Sequence, residues 1–458
     1  MYYKRLTDKY LQEWATDSSH KPILLRGARQ VGKSTAVRHL GAQFENYIEI
    51  NFEKSPQFKT LFEENLEVQR IVPQMAAMYE APIIAGKTLL FLDEIQECPK
   101  AIMALRFFKE DMPELHVIAA GSLLEFAIQE LPTFGVGRIH SMFMYPMTFD
   151  EFLEACGKQL LMEARNQNPL NTPMPDILHN KLIELMRNYM LIGGMPEVVA
   201  KWVATGDYLQ CQKIQDDILI SYEDDFPKYR KKVDPNLLRL TMRSAATQAG
   251  NKFVYAQVGT DYNSSEVKKA LEMLCLSGIL TPITHTAANG LPLGSEADYN
   301  YRKMLLLDTG LMLRLLNMSI GNSAQITTEI LTANAAELIN KGAIAEQIAG
   351  LELLRYRNPN LRHELYYWQR KSKSSQAEID YLTPYNQKVL PIEVKAGVQG
   401  GMKSLWLFMR EKKLSEAVRC SLENFNSFTY NDPEDNNAPR KVIICPLYAI
   451  SKLNKLIR

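Results

Sequence analysis

Apolar runs recur through the first third of the chain, each followed by a stretch with helical spacing. The runs are Pro22–Arg26, Tyr47–Phe52, Thr88–Leu92 and His116–Ala120. Most are near-continuous rather than alternating, which predicts parallel strands buried on both faces between Ile23 and about Pro146. Residues 165–176 are rich in Pro and Asn and read as a loop. A helical pattern follows to about Tyr229, broken at Gly193-Gly194-Met195-Pro196. Within 236–310 come helical patterns, a serine-capped start at Asn263-Ser264-Ser265-Glu266 and a helix over Val267–Cys275. The strand Ile279–Ile283, the polar turn Ala288-Asn289-Gly290 and a second strand complete it. Helix followed by a hairpin predicts a winged helix. A helix over Gly342–Ile348 and strands over Glu378–Leu382 and Leu390–Lys395 predict a further α/β domain.

The first of these strands runs into Gly27-Ala28-Arg29-Gln30-Val31-Gly32-Lys33-Ser34, and Thr35 continues as a helix to Gly41. Glycines at both ends of such a loop let backbone N–H groups approach a polyphosphate, and the following helix adds its positive dipole end. The spacing predicts a nucleoside triphosphate site, with Lys33 reaching the β- and γ-phosphates and Ser34 holding Mg²⁺. The third run ends at Asp93-Glu94. Asp93 is then placed to hold Mg²⁺ through water, and Glu94 to activate the attacking water.

Three further polar residues fall in this region. Ser122, after Ala119-Ala120-Gly121, is a candidate to orient water or touch the γ-phosphate, and equally a helix cap. Arg138 is a candidate to neutralise charge on the transferred phosphoryl group, from this chain or a neighbouring copy, and equally a surface arginine. Arg26 and Arg29 compete for the same role.

Composition changes little. The 458 residues carry a net charge of +1, so no global charge bias favours nucleic acid. Six scattered cysteines without a C-x-x-C pair argue against a zinc site and fit a reducing cytosol. The N-terminus lacks signal-peptide character. No apolar run approaches the roughly 20 residues of a membrane span. A cytoplasmic protein with no membrane partner is expected. The basic run Lys228-Tyr229-Arg230-Lys231-Lys232 reads as solvated helix-end charge or a phosphate contact. Lys268 and Lys269 are too few to support base readout by the winged helix.

Near the C-terminus, Glu393 and Lys395 stand two apart on one strand and so share a face. Asp380 on a neighbouring strand and Glu346 on a helix complete three carboxylates with a lysine. That donor set suits a divalent cation polarising a phosphodiester, with the lysine stabilising developing charge. Arg370, Lys371 and Lys373 offer contacts to a nucleic-acid backbone, or form an ordinary solvated loop.

Two resemblances attach to these residues. Arg26–Thr35, Phe91–Gln96, Ala120–Leu124, Val136-Gly137-Arg138 and Gly193–Glu197 resemble the motifs of prokaryotic AAA-type (archaeal-ATPase-like) proteins that carry a C-terminal domain of unknown function. The Glu346/Asp380/Glu393/Lys395 set resembles the PD-(D/E)xK nucleases, although Ile379 rather than proline precedes Asp380. The fold these imply is α/β: an AAA-type P-loop parallel sheet with a helical lid, a winged-helix-like domain, and an α/β restriction-endonuclease-like domain. The expected boundaries are 1–205 for the ATPase domain with the lid reaching 230, 206–320 for the middle domain and 335–458 for the last. The expected function is Mg²⁺-dependent ATP hydrolysis coupled to a nuclease-like domain acting on DNA. The alternative is a nucleotide-controlled switch or scaffold that binds DNA or a protein partner without cutting, and either form could act as a homo-oligomer. ATP rather than GTP follows from the AAA resemblance.

Overall fold

A computed structural model describes residues 2–122, 124–131, 137–230, 232–316, 341–370, 377–396 and 401–456. The chain forms two compact units. One comprises Met1–Pro146, Leu276–Ile279 and Asn358–Arg362; the other comprises Met147–Cys275, Leu280–Arg357 and His363–Arg458.

In the first unit, β1 (Ile23–Arg26), β2 (Asn46–Asn51), β3 (Thr88–Asp93), β4 (His116–Ala120) and β5 (His140–Phe143) form a sheet in the order β2-β3-β4-β1-β5. Every pairing is parallel. The four apolar runs become β1 to β4, and β3 and β4 are buried along their whole length. On one face Leu90, Leu92, Val117 and Ala119 pack against Ile71 and Met75 of the helix Val68–Tyr79. Leu105 and Phe108 of the helix Pro99–Asp111 join the same cluster. Each fully buried aliphatic or aromatic chain there contributes about 1.5–3 kcal/mol. The edge strand β5 gave no apolar run, because three of its four residues are only partly buried. Its Phe143 N–H donates to the Pro359 carbonyl at 2.8 Å, so the short segment Asn358–Arg362 completes that edge.

In the second unit, eight strands form one sheet in the order β12-β13-β11-β10-β9-β8-β6-β7. They are β6 (Leu280–Thr286), β7 (Ala297–Leu306), β8 (Leu365–Gln369), β9 (Glu378–Tyr385), β10 (Lys388–Val394), β11 (Glu416–Ser421), β12 (Asn426–Asp432) and β13 (Ala438–Pro446). The helix Lys341–Arg355 precedes the antiparallel meander β8-β9-β10. The helix Lys403–Glu411 then leads to β11, parallel to β10. The expected hairpin is present as β6 and β7, after the helices Pro235–Thr247 and Ser264–Leu276. It is not a free-standing wing. Strand β6 pairs in parallel with β8, Ile283 facing Leu365, so the hairpin extends the C-terminal sheet.

The structure also divides the chain differently from the expected boundaries at 205 and 320. Residues from Met147 onward, with the helices Asp176–Ile192, Pro196–Thr205 and Tyr208–Asp225 expected as a lid, belong to the second unit. Buried hydrogen bonds give the reason. The Phe149 N–H donates to both Glu352 carboxylate oxygens at 3.3 and 3.2 Å, and Asp150 N–H to the Tyr356 hydroxyl at 3.0 Å. Arg355 and the Tyr189 hydroxyl both donate to the Met147 carbonyl, at 3.0 and 2.5 Å. A buried polar group that loses such a partner costs about 1–3 kcal/mol, so these bonds tie residues 147–150 to the helix Lys341–Arg355 and the adjoining Tyr356.

The Gly193-Gly194 break belongs to the same network. The Gly194 N–H donates to Asp308 Oδ2 at 2.6 Å, and a Cβ on Gly194 would lie 2.0 Å from the Met147 carbonyl oxygen. Gly193 has φ 76°, and a Cβ there would meet Asp308 Oδ1 at 1.9 Å. Gly194→Ala should therefore destabilise the second unit by about 1–3 kcal/mol, read as a lower thermal midpoint. An unchanged midpoint would show that the backbone contact is not needed.

Candidate functional site

Strands β1, β4 and β3 are neighbours and parallel, so their carboxyl ends emerge along one edge. The phosphate loop follows β1, Gly121-Ser122 follow β4, and Asp93-Glu94 end β3. Sheet order and parallel direction thereby put Lys33, Ser34, Asp93, Glu94 and Ser122 along one edge.

The loop's backbone has the conformation its glycines permit. Gly27 has φ 146° and Gly32 φ 98°, and a Cβ on Gly27 would fall 2.1 Å from the Met144 carbonyl oxygen. Gln30 also lies in the left-handed region at φ 63°. Arg5, which the sequence reading passed over, is buried behind the loop. Its guanidinium donates to the Val31 carbonyl at 2.8 Å and to the Tyr145 carbonyl at 2.6 Å. Ala28 and Val31 are buried, and Thr35 continues into the helix Lys33–Gly41.

Lys33 folds back over the loop and donates to the carbonyls of Gly27 and Ala28 at 2.8 and 2.7 Å. Burial pushes its pKa down to about 8, opposed by the nearby Glu94 and Asp93 carboxylates and assisted by Arg29. The Ser34 hydroxyl donates to the Asp93 carboxylate at 3.1 Å, and Asn51 Nδ2 donates to Asp93 Oδ2 at the same distance. Burial and the adjacent Glu94 push Asp93 upward, while these two donors hold it down. A hydroxyl and a carboxylate in contact beside a phosphate loop form a donor set that fits a hydrated divalent cation.

Glu94 stands in the left-handed region at φ 49°, a backbone strain that a bulky residue carries only when its surroundings impose it. Gln96 Nε2 donates to Glu94 Oε2 at 2.6 Å, and a Cβ on Gly121 would lie 2.0 Å from Gln96 Oε1. Gln96 therefore positions Glu94, and Gly121 makes room for it. In the sequence Gln96 is legible only as part of a motif; its use depends on β3 and β4 being neighbours.

Arg29 lies in the loop and acts on Lys33, whereas Arg138 and Arg26 pair with carboxylates. Arg138 precedes β5 and so lies at the amino end of the parallel sheet, opposite the edge that carries the loop. It is exposed and paired with Glu110 at 3.1 Å. The role for Arg138 at its own chain's nucleotide is thus corrected; only a neighbouring copy could receive it. Arg26 is held by Glu125 at 3.0 Å.

In the second unit, Glu346, Glu378 and Asp380 bring carboxylate oxygens within 4.8 Å of one another. This differs from the expected set, in which Glu393 was the third ligand. Glu393 pairs with Lys395 on the face they share and stays close enough for Asp380 and Glu378 to raise its carboxyl. Glu378 joins the set because Glu378 and Asp380, two apart on β9, share a face. Between the three stands Lys303 of β7, fully buried. Its Nζ donates to Glu346 Oε1 at 2.7 Å and to Glu378, and lies 4.0 Å from Asp380 Oδ1. Burial opposes the charge on Lys303, but Glu346, Glu378 and Asp380 together hold its pKa above the ordinary value. Burial pushes Glu346 up to about 8 and Glu393 up to about 7. Asp380 Oδ2 accepts from the Val394 N–H at 2.7 Å. Arg370 pairs with Glu411 at 2.9 Å, and Lys228 with Asp225 at 2.8 Å. Lys231, Lys371 and Lys373 lie outside the described residues.

Comparison with known proteins bears on the first unit most directly. Residues 19–153 match an AAA domain. The protein is an ATPase. Residues 183–320 and 341–449 of this ATPase match two domains of unknown function, DUF8612 and DUF4143. No protein with a curated description matches the chain. Among solved structures, a Walker-type ATPase of Pyrococcus abyssi is similar at 15% identity and TM-score 0.45, covering 69% of this chain and 96% of that one. A STAND signal-transduction ATPase of Pyrococcus horikoshii aligns at 10% identity and TM-score 0.26, covering 74% of this chain and 47% of that one. The Drosophila origin recognition complex (ORC) bound to DNA aligns at 13% identity and TM-score 0.27, covering 68% and 85%. Among the described residues no helix is long and apolar enough to cross a membrane.

Two outcomes follow for the ATPase site. Lys33→Ala should lower ATP turnover by roughly 10²-fold or more, measured as phosphate release; retained turnover would remove Lys33 from the reaction. Phosphate oxygens favour the charged lysine, so its pKa rises on binding. Below pH 8 Lys33 is charged in both states and affinity should not depend on it. Above pH 8 the free protein must take up a proton to bind, so affinity should fall by up to about tenfold per pH unit. Calorimetry in buffers of different ionisation enthalpy reads that proton directly, and a flat profile from pH 7 to 9.5 would contradict it.

Proposed function

We propose that this protein is an ATP-driven switch whose second unit engages DNA. ATP binds on the loop 27–35, with Ser34 and Asp93 holding the magnesium that accompanies it. Lys33 leaves its two carbonyls for the phosphates. Glu94, aimed by Gln96, accepts a proton from the attacking water, and Ser122 orients that water from the end of β4.

The observation that carries the switch is a turn against the phosphate loop. Gly278 has φ 75°, and a Cβ there would stand 3.3 Å from the Ala28 nitrogen. Its segment, Leu276–Ile279, belongs to the nucleotide-binding unit, and the chain runs from it directly into β6. A loop that moves on phosphate binding must move against this turn, and the displacement passes covalently to β6. The order helix, antiparallel meander, helix, parallel strand supports the nuclease-like reading of the effector sheet.

Hydrogen exchange over residues 280–306, with and without a non-hydrolysable ATP analogue, tests the coupling. Nucleotide should change protection there in the wild type, and Gly278→Val should abolish the change. No nucleotide effect would overturn the reading.

Cutting is a second reading, favoured by the carboxylates and Lys395 on one sheet. Plasmid and branched DNA incubated with Mg²⁺ or Mn²⁺, with and without ATP, beside Asp380→Asn, decides it. Binding without cleavage is expected; ATP-modulated cleavage lost in the variant would make the second unit a nuclease.

A further inference from the structure

We infer that Lys303 is the resident cation of the Glu346/Glu378/Asp380 cluster and takes the position a divalent metal would otherwise hold. The donor set by itself is that of a hard cation: three carboxylates with oxygens within 4.8 Å. An ammonium already satisfies it. Lys303 is fully buried, it donates to Glu346 and Glu378, and its nitrogen stands 4.0 Å from Asp380.

Two features make this lysine a fixture rather than a passing contact. It belongs to a paired strand, facing Ile283 across the β6–β7 ladder, so its backbone is not free to withdraw. Its ammonium also lies 5.2 Å from the centre of the Tyr367 ring, whose face favours a cation. The other groups that face the cluster are engaged except Glu393 Oε2, which is buried without a hydrogen-bond partner. Glu393 is matched by Lys395, and Asp380 Oδ2 by the Val394 N–H. The Tyr381 hydroxyl, beneath the helix that carries Glu346, donates to the Glu346 carbonyl at 2.8 Å.

A metal entering here would have to meet the ammonium at close range or displace it. Displacement would leave a charged lysine buried without a partner, which costs several kcal/mol in any interior of low polarity. Glu346, Glu378 and Asp380 together therefore do not fit a divalent cation while Lys303 stands between them. The carboxylates resemble a nuclease centre in sequence because the lysine that fills it comes from a strand more than forty positions before Glu346, outside any local motif.

The test is Mn²⁺ binding to full-length, nucleotide-free protein, followed by electron paramagnetic resonance. Wild type and Asp380→Asn should give the same isotherm, because the cluster takes no metal. Lys303→Met should gain a Mn²⁺ site at least about tenfold tighter than any in the wild type. Adding Asp380→Asn should remove it, and Mn²⁺ should raise the thermal midpoint of Lys303→Met alone. A wild-type site lost in Asp380→Asn would overturn the inference, as would a folded Lys303→Met protein that gains none. If Lys303→Met does not fold, the comparison of wild type with Asp380→Asn decides alone. The result is independent of the switch proposed above, which is read at Gly278 and residues 280–306.

Discussion

The nucleotide site depends on a pairing: β4 lies between β1 and β3, and all three run the same way. Parallel strands deliver their carboxyl ends to one edge, so three loops from distant parts of the chain meet there without any loop having to be long. The helix after the phosphate loop adds its positive end to that edge. Even the strained Glu94 follows from this arrangement. Its backbone turns out of β3 where the neighbouring strand ends in Gly121, and Gln96 fills the space a side chain at 121 would take.

Both charged centres answer the cost of burial with partners from the same fold, in opposite ways. At the phosphate loop Lys33 rests on neutral carbonyls, an arrangement that satisfies its N–H groups without giving it a counter-ion in contact. Such a lysine gains from an incoming anion. At the second cluster Lys303 already rests on carboxylates and has no comparable gain available from a ligand. One lysine is poised and the other is settled.

How much of this was legible in the sequence follows from how local each feature is. The glycine loop, Asp93-Glu94 and the strands β1 to β4 are written in contiguous residues, and the structure places them together as their spacing implied. Ser122 is placed at the carboxyl edge of the sheet because the strand before it is a plain apolar run. Strand β5 was not legible, since its edge position leaves most of its residues half-buried and without a pattern. Arg138 reads like a catalytic arginine beside Gly137, yet nothing local says at which end of the sheet β5 begins. Lys303 and Arg5 were silent for the same reason: each works on residues far away in sequence. The extent of the second unit was hidden in the Glu352, Arg355 and Tyr189 hydrogen bonds to residues 147–149, which no hydrophobic periodicity records.

The composition of the first unit has a consequence for how the protein is made. Leu276–Ile279 seats Gly278 on the phosphate loop, and Asn358–Arg362 supplies the acceptor for Phe143 at the sheet edge. Chains fold from the N-terminus as they leave the ribosome, at about 5–20 residues per second. The sheet core of this ATPase can collapse early, but Leu276–Ile279 follows residues 147–275 of the other unit, and Asn358–Arg362 follows 280–357 as well. The nucleotide-binding unit is the first to be encoded and among the last to be finished, so a nascent chain cannot complete it before Arg362 has been made.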